Sequence, residues 1–267
     1  MNRLCIAAFF LLLLGCCQET VNSADSTQSA TRDTIPLYAQ ALLEAYPDCI
    51  VGFANDSLIF ADGSRMVFDD GVERSWLEMY DYCDVEDMSR LIYCDSVTDF
   101  CDPGRIRCEM LFKKMYGSTS QEVSNSTATI VWCPNIIGKK FPMNKVNHVD
   151  EQLQKVSNEL DRHPEWKDYL QCSGTFNWRV VVGTNRMSPH CYAIAIDIGI
   201  SKSNYWRWDN SNASETDTIR YHNSMLKEIV DIFEKYGFIW GGFWYHYDTM
   251  HFEYRPDLII YRNMVRG

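Results

Sequence analysis

Two histidines and an aspartate are of the types a divalent transition metal takes. His190 follows Ser188-Pro189, Asp197 ends a run of alternating Ala and Ile, and His251 opens the stretch His251-Phe252-Glu253-Tyr254. Two imidazole nitrogens and one carboxylate oxygen suit zinc and leave a fourth position for water, the arrangement of a catalytic rather than a structural site. Such a site needs a base, and Asp248 stands just ahead of His251.

Taken singly, these residues have plainer readings. Asp197 alone is a surface carboxylate at a strand end, and His190 alone is a hydrogen-bonded structural histidine beside a proline. The segment GFIWGGFWYHYDTMHFEYRP is harder to reduce to core, because aromatic packing does not also call for two histidines and two acids. His246, His222, His163 and His148 match no role and read as surface or structural residues.

The elements that would position the set follow from side-chain alternation. In a strand, Ala193, Ala195 and Asp197 share one face and Ile194, Ile196 and Ile198 the other, so the isoleucine face is core and the alanine face leaves room. His251 and Glu253 likewise share a face opposite Met250, Phe252 and Tyr254. Extended chain would hold His190 and Asp197 about 23 Å apart, and a helix about 10 Å. If both bind one ion, the chain bends between them, at Ser188-Pro189 or Cys191-Tyr192.

These residues resemble the zinc D-alanyl-D-alanine carboxypeptidase and L-alanyl-D-glutamate endopeptidase family of peptidoglycan peptidases. The first family motif, Ser-x-His then x-x-Gly-x-Ala-x-Asp, is matched by Ser188, His190, Ala193, Ala195 and Asp197, with alanine where the family usually has glycine and Cys191 beside the histidine. The second is matched by Trp240, Gly241, Gly242, Asp248, His251, Phe252 and Glu253. The resemblance extends over roughly 110–256. It implies that His190, Asp197 and His251 ligate Zn2+ and that Asp248 exchanges the proton of the attacking water. It implies also that Arg179 grips a substrate carboxylate, with Arg186 as second candidate; a surface ion pair is the alternative for either. Ser188 stands beside them as a substrate contact or a turn-former, and Glu253 would orient a histidine ligand.

Outside the motifs, the first residues place Arg3 before an apolar run, the layout of a secretory signal over 1–15. Leu13-Leu14-Gly15-Cys16 resembles the bacterial lipobox, which implies a lipid on Cys16; an ordinary cleaved signal is the alternative. Residues 16–34, rich in Ser, Thr, Asp and Gln, read as a flexible tether. The expected product is exported and lipid-anchored to a bacterial membrane, facing the periplasm or cell wall, with peptidoglycan peptides as partners and no other membrane contact. A net charge of -11 argues against a nucleic-acid partner.

The remaining chain reads as an N-terminal extension over 35–109 and a peptidase domain over 110–267. Alternation around Asn55-Asp56 and Asp62-Gly63 predicts two or three short strands, hence a β-rich extension. Leu153, Val156 and Leu160 mark one amphipathic helix; Ile219, Leu226, Ile229, Val230 and Phe233, with Gly237 as cap, mark a second. Strand-like runs lie at 178–182, 193–198 and 250–254. Without regular strand-helix alternation, the fold class is α+β, a mainly antiparallel sheet flanked by helices. The eight cysteines beyond Cys16 and Cys17 suggest disulfides among some of them, with free buried thiols as the alternative. A non-catalytic zinc-containing wall-binding module is the competing reading of the whole.

Overall fold

A computed structural model describes residues 34–267, of which Ile35–Gly267 form one compact unit. The signal, Cys16 and the tether lie outside the described residues. The elements are α1 (Leu37–Ala45), β1 (Ile50–Phe53), β2 (Ser57–Phe60), β3 (Arg65–Val67), α2 (Trp76–Tyr82), α3 (Glu109–Tyr116), α4 (Ser120–Asn125), β4 (Thr127–Trp132), β5 (Lys139–Asn144), α5 (Val149–Leu160), β6 (Cys172–Gly174), β7 (Ala195–Ile198), α6 (Trp206–Asp209), α7 (Lys227–Lys235), β8 (Phe238–Trp240), β9 (His251–Tyr254) and α8 (Pro256–Arg266). Helices are mixed with three small sheets, ordered β1-β2-β3, β4-β5 and β6-β7-β9-β8. Every strand pairing in them is antiparallel.

Residues 35–109 carry the three short strands that the turn signals predict, but they are not β-rich as a whole. Helix α1 begins the segment and α2 follows the sheet. Helix α2 is nucleated by a capping box, in which the Ser75 hydroxyl accepts from the Glu78 N–H while the Glu78 carboxylate accepts from the Ser75 N–H.

Helix α5 spans the predicted stripe, burying Leu153, Val156 and Leu160 against β4 and β5. Helix α7 is shorter than the second stripe implies. It starts at Lys227 and buries Ile229, Val230, Ile232 and Phe233. Ile219 lies outside it and packs instead with Trp206, Tyr245 and Tyr247 in a second apolar cluster. Gly237 follows α7 at φ +88, a left-handed backbone that a side chain would strain.

The strand predicted over 178–182 is absent; a single bridge between Val180 and Met187 closes an irregular loop there. The expected disulfides are absent too, all eight described cysteines being thiols. Four of them, Cys108, Cys133, Cys172 and Cys191, are buried and fill space as small apolar side chains. Among the described residues no helix is long and apolar enough to cross a membrane.

The core runs between the sheets and helices. Ile194, Ile196 and Ile198 are wholly buried, as the alternation requires, and the Phe233 ring stacks on Phe252 at 3.9 Å, joining α7 to β9. Helix α1 packs along α8, so the two ends of the described chain meet. Between them lies a buried polar knot. Arg255 donates from Nε and Nη2 to Asp257 at 3.0 and 2.9 Å, and Asp257 also accepts from Tyr38 and Tyr46 hydroxyls at 2.7 and 2.6 Å. Arg255 and Asp257 are almost fully buried, so each depends on the other to offset desolvation.

Asp257→Ala leaves Arg255 buried without its partner and is expected to cost about 3–5 kcal/mol of unfolding free energy, measured by urea titration. A loss under about 1 kcal/mol, the ordinary effect of a point substitution, would show that the knot does not hold the chain ends.

Candidate functional site

Asp197 and His251 meet because β7 and β9 pair in a register that sets them directly opposite, with Ala195 opposite Glu253. The alanine face has a specific use here: Ala195 leaves room for a carboxylate beneath His251. His190 arrives by a different route. It sits in a 3-10 turn over Pro189–Tyr192, capped by the Ser188 hydroxyl, which accepts from the His190 N–H at 3.4 Å. Ala193 ends that turn at φ 52, ψ 42, a left-handed conformation. This is the required bend, and its backbone explains why glycine usually stands in that motif position.

The three side chains converge. His190 Nε2 and His251 Nδ1 lie 3.2 and 3.0 Å from Asp197 Oδ1. All three candidate ligand atoms lie within 4.8 Å of one another. Zinc–ligand distances of about 2.0–2.1 Å in a tetrahedron place donor atoms about 3.3 Å apart, so the spacing fits. The remaining ring nitrogens are already engaged. His190 Nδ1 donates to the Thr175 carbonyl at 3.1 Å, and His251 Nε2 faces Glu253 Oε2 at 3.1 Å. Each outer partner fixes the tautomer that turns the inner nitrogen toward the common point.

Electrostatics favour positive charge at that point. Burial works to raise the Asp197 pKa, yet His190 and His251 hold it far below the usual carboxylate range. Burial works to lower that of His251, but its hydrogen bonds to Asp197 and Glu253 outweigh burial and lift it to about 10. Glu253 is itself fully buried. Burial opposes its charge, while Arg107, His251 and Arg255 pull its pKa down to about 2. Arg107 Nη1 donates to Glu253 Oε2 at 3.0 Å, and Arg255 Nη1 approaches Oε1 at 3.5 Å.

Asp248 stands apart from the triad. Its Oδ1 is buried without a hydrogen-bond partner. Burial first, and the Asp197 charge second, push its pKa up to about 7, with His251 and Arg179 pulling the other way. A divalent cation at the triad would pull it down further. Two glycines secure its backbone. The Asp248 N–H donates to the Gly241 carbonyl at 3.0 Å. A Cβ on Gly241 would lie 2.7 Å from the Asp248 carbonyl oxygen, and one on Gly242 would lie 2.1 Å from the Trp240 ring. Neither position admits a side chain without displacing Asp248 or the tryptophan.

His190, Asp197, Asp248 and His251 line one cleft of about 480 Å³, together with Arg179, Arg186 and Ser188. Arg179 is exposed, its guanidinium reaching only the Val180 carbonyl at 3.3 Å. Arg186 is half-buried, packed over the Tyr80 ring with Asp81 3.5 Å from its Nε, which donates no hydrogen bond. Burial, with Arg105 and Arg107 nearby, lowers its pKa from the usual guanidinium range. The cleft therefore holds guanidinium groups without full compensation.

Arg105, Arg107, Tyr205, Trp206, Trp208, Trp244 and His246 also line the cleft and were not marked by the motifs. The two arginines lie before the expected peptidase segment, and nothing in Gly104-Arg105-Ile106-Arg107 signals a cleft. His148, His163 and His222 are part-exposed or exposed, as expected, whereas the His246 side chain is fully buried in the cleft wall.

Residues 182–254 match the family model described as D-alanyl-D-alanine carboxypeptidase. The match takes in both metal motifs and supports the zinc peptidase family of peptidoglycan peptidases, hence a peptidase of peptidoglycan type. It is shorter than the stretch the motifs suggested and stops short of Arg179, Arg107 and Arg105. Comparison with curated proteins and with solved structures finds no match.

Glu253→Gln, which keeps the shape but removes the charge behind His251, is expected to weaken zinc binding about 10–100-fold in competition with a chelator. Unchanged affinity in a folded variant would separate Glu253 from the triad. Ala193→Gly relieves a left-handed alanine, worth about 1–2 kcal/mol, against a glycine entropy cost of about 0.4–1 kcal/mol. A net gain in thermal stability with zinc content unchanged is expected; a loss would show that the turn carries no strain.

Proposed function

We propose that this chain is a zinc-dependent peptidase that hydrolyses a peptidoglycan stem peptide, as a D-Ala-D-Ala carboxypeptidase or an L-Ala-D-Glu endopeptidase. The observation that carries the reading is the convergence of His190 Nε2, Asp197 Oδ1 and His251 Nδ1 in one cleft with Asp248. In this reading those three atoms hold the ion. When bound, zinc would supply a Lewis acid for the scissile carbonyl and a water acidic enough to deprotonate near neutral pH.

The chain's own residues do the rest. Asp248 Oδ1, buried and unpartnered, takes a proton from the attacking water and later gives it to the leaving amine. Arg179 and Arg186 offer guanidinium forks for a substrate carboxylate. Ser188 acts by holding the turn that carries His190. Trp244 and Met250 add apolar surface to the cleft lining.

The same reading places the protein outside the cytoplasm, with the signal over 1–15 leading to a lipid on Cys16 and residues 16–34 tethering a peptidase domain near the wall. A zinc-containing wall-binding module would have no need of an unpartnered carboxylate beside its metal site, and Asp248 is such a group.

Asp248→Ala is expected to keep stoichiometric zinc and to lose at least about 100-fold in hydrolysis of purified wall peptides. Product masses from defined muropeptides would identify the bond cut. Full activity in the variant would remove Asp248 from the mechanism. A zinc-loaded wild-type protein that binds muropeptides and leaves them intact would establish the binding module instead.

A further inference from the structure

His246 belongs to no family motif, yet it sits in the cleft wall as a built device. Between Trp244 and Asp248 the chain alternates. Trp244, His246 and Asp248 line the cleft, while Tyr245 and Tyr247 turn into the second apolar cluster with Trp206 and Ile219. His246 thus lines the same cleft as Asp248, two residues before it in the chain.

The imidazole is hydrogen-bonded at Nδ1 alone, with Glu215 Oε2 also 3.7 Å from that nitrogen. Nδ1 lies 2.6 Å from Asp102 Oδ2, and the His246 backbone N–H donates to Asp102 Oδ1 at 2.8 Å. Asp102 is anchored in turn by the Tyr80 hydroxyl at 2.6 Å and by Arg105 Nη1 at 2.8 Å. Although burial favours its protonated form, Arg105 and His246 hold Asp102 well below the usual carboxylate range, so it accepts and Nδ1 donates. The Trp206 ring packs on the imidazole at 4.6 Å and fixes its plane. Nε2 is buried and has no hydrogen-bond partner among the described residues. In the tautomer that donates from Nδ1 to Asp102, Nε2 is the ring's acceptor nitrogen. A buried acceptor left unmet costs about 1–3 kcal/mol, and the His246 side chain, no part of which is exposed, borders the cleft.

We infer that His246 Nε2 is a substrate-binding acceptor that takes the N–H of a peptide amide flanking the scissile bond. The inference rests on the peptidase reading for what is bound and names a specificity element in that same cleft. Asp102, Arg105 and Tyr80 serve as positioning residues behind it. All come from the segment that precedes the family match, which makes that segment part of the substrate site. The ligand class is a peptide with a secondary amide next to the bond cut.

The test compares zinc-loaded wild type with His246→Asn, whose amide still reaches Asp102 but places nothing at the Nε2 position. Substrates are a synthetic stem peptide and analogues in which each flanking amide is replaced in turn by an ester. Wild type is expected to lose about tenfold in kcat/KM on one ester analogue, mostly through KM, by removal of one hydrogen bond. His246→Asn is expected to lose about tenfold on the amide peptide and nothing further on that ester. A variant that still discriminates amide from ester, or that hydrolyses the amide peptide like wild type, overturns the inference and leaves the peptidase reading standing.

A second measurement needs neither turnover nor a His246 variant. In zinc-loaded Asp248→Ala protein, saturation with the same peptide is expected to move the His246 Nε2 nitrogen-15 resonance and leave Nδ1 in place. An unmoved Nε2 overturns the inference even if the wild type proves to be a peptidase. A moved Nε2, where the wild type cleaves nothing, keeps His246 as a contact to a peptide amide while the peptidase reading falls.

Discussion

The Glu253 carboxylate is the constraint on which the site depends. It is fully buried on a central strand, which ordinarily costs several kcal/mol for a lone charge. Three groups offset that cost: His251 from its own strand, Arg107 from the segment before α3, and Arg255 just beyond the strand. Glu253, held in place by the two arginines, sets the His251 tautomer. Ala195 opposite Glu253 supplies the space, and the β7–β9 register brings Asp197 to the other nitrogen of His251. A buried charge that must be met from several directions is a strong geometric specification, because few arrangements satisfy all its partners.

From Glu253 the polar network continues through Arg255 to Asp257 and the hydroxyls of Tyr38 and Tyr46 on and after α1. The first helix of the described chain is thus linked by hydrogen bonds to the strand that carries His251. A parallel link runs from Tyr80 and Arg105 through Asp102 to His246. The segment that looks like an appendage in the sequence supplies Arg107, one of the counter-charges behind the triad, and part of the cleft wall. Its contribution lies outside the family match, which begins at residue 182.

Much of this was legible in the residues. Alternation of Ala and Ile told which face of β7 is buried, and the same rule separated His251 and Glu253 from Phe252. The seven-residue interval between His190 and Asp197 demanded a bend, and the 3-10 turn ending at left-handed Ala193 is that bend. Other parts misled for definite reasons. Ile219 fits the period of α7 but is captured by a separate aromatic cluster, since periodicity does not say which core a residue joins. The run at 178–182 has strand-like composition but no partner strand, and strands exist only in pairs. The eight described cysteines are even in number, yet pairing is a matter of side-chain distance rather than count.

The sequence by itself determined which atoms could serve as ligands and base, because His190, Asp197, Asp248 and His251 are legible as types at intervals within two short segments. It determined the faces of the strands that carry them, because side-chain direction follows residue parity. Only the tertiary structure decided which groups stand behind those atoms. Glu253 is met by Arg107 from 146 positions away and His246 by Asp102 from 144. No local pattern encodes such pairs. They arise from desolvation, which compels every buried charge to find a partner wherever the folded chain happens to bring one within reach.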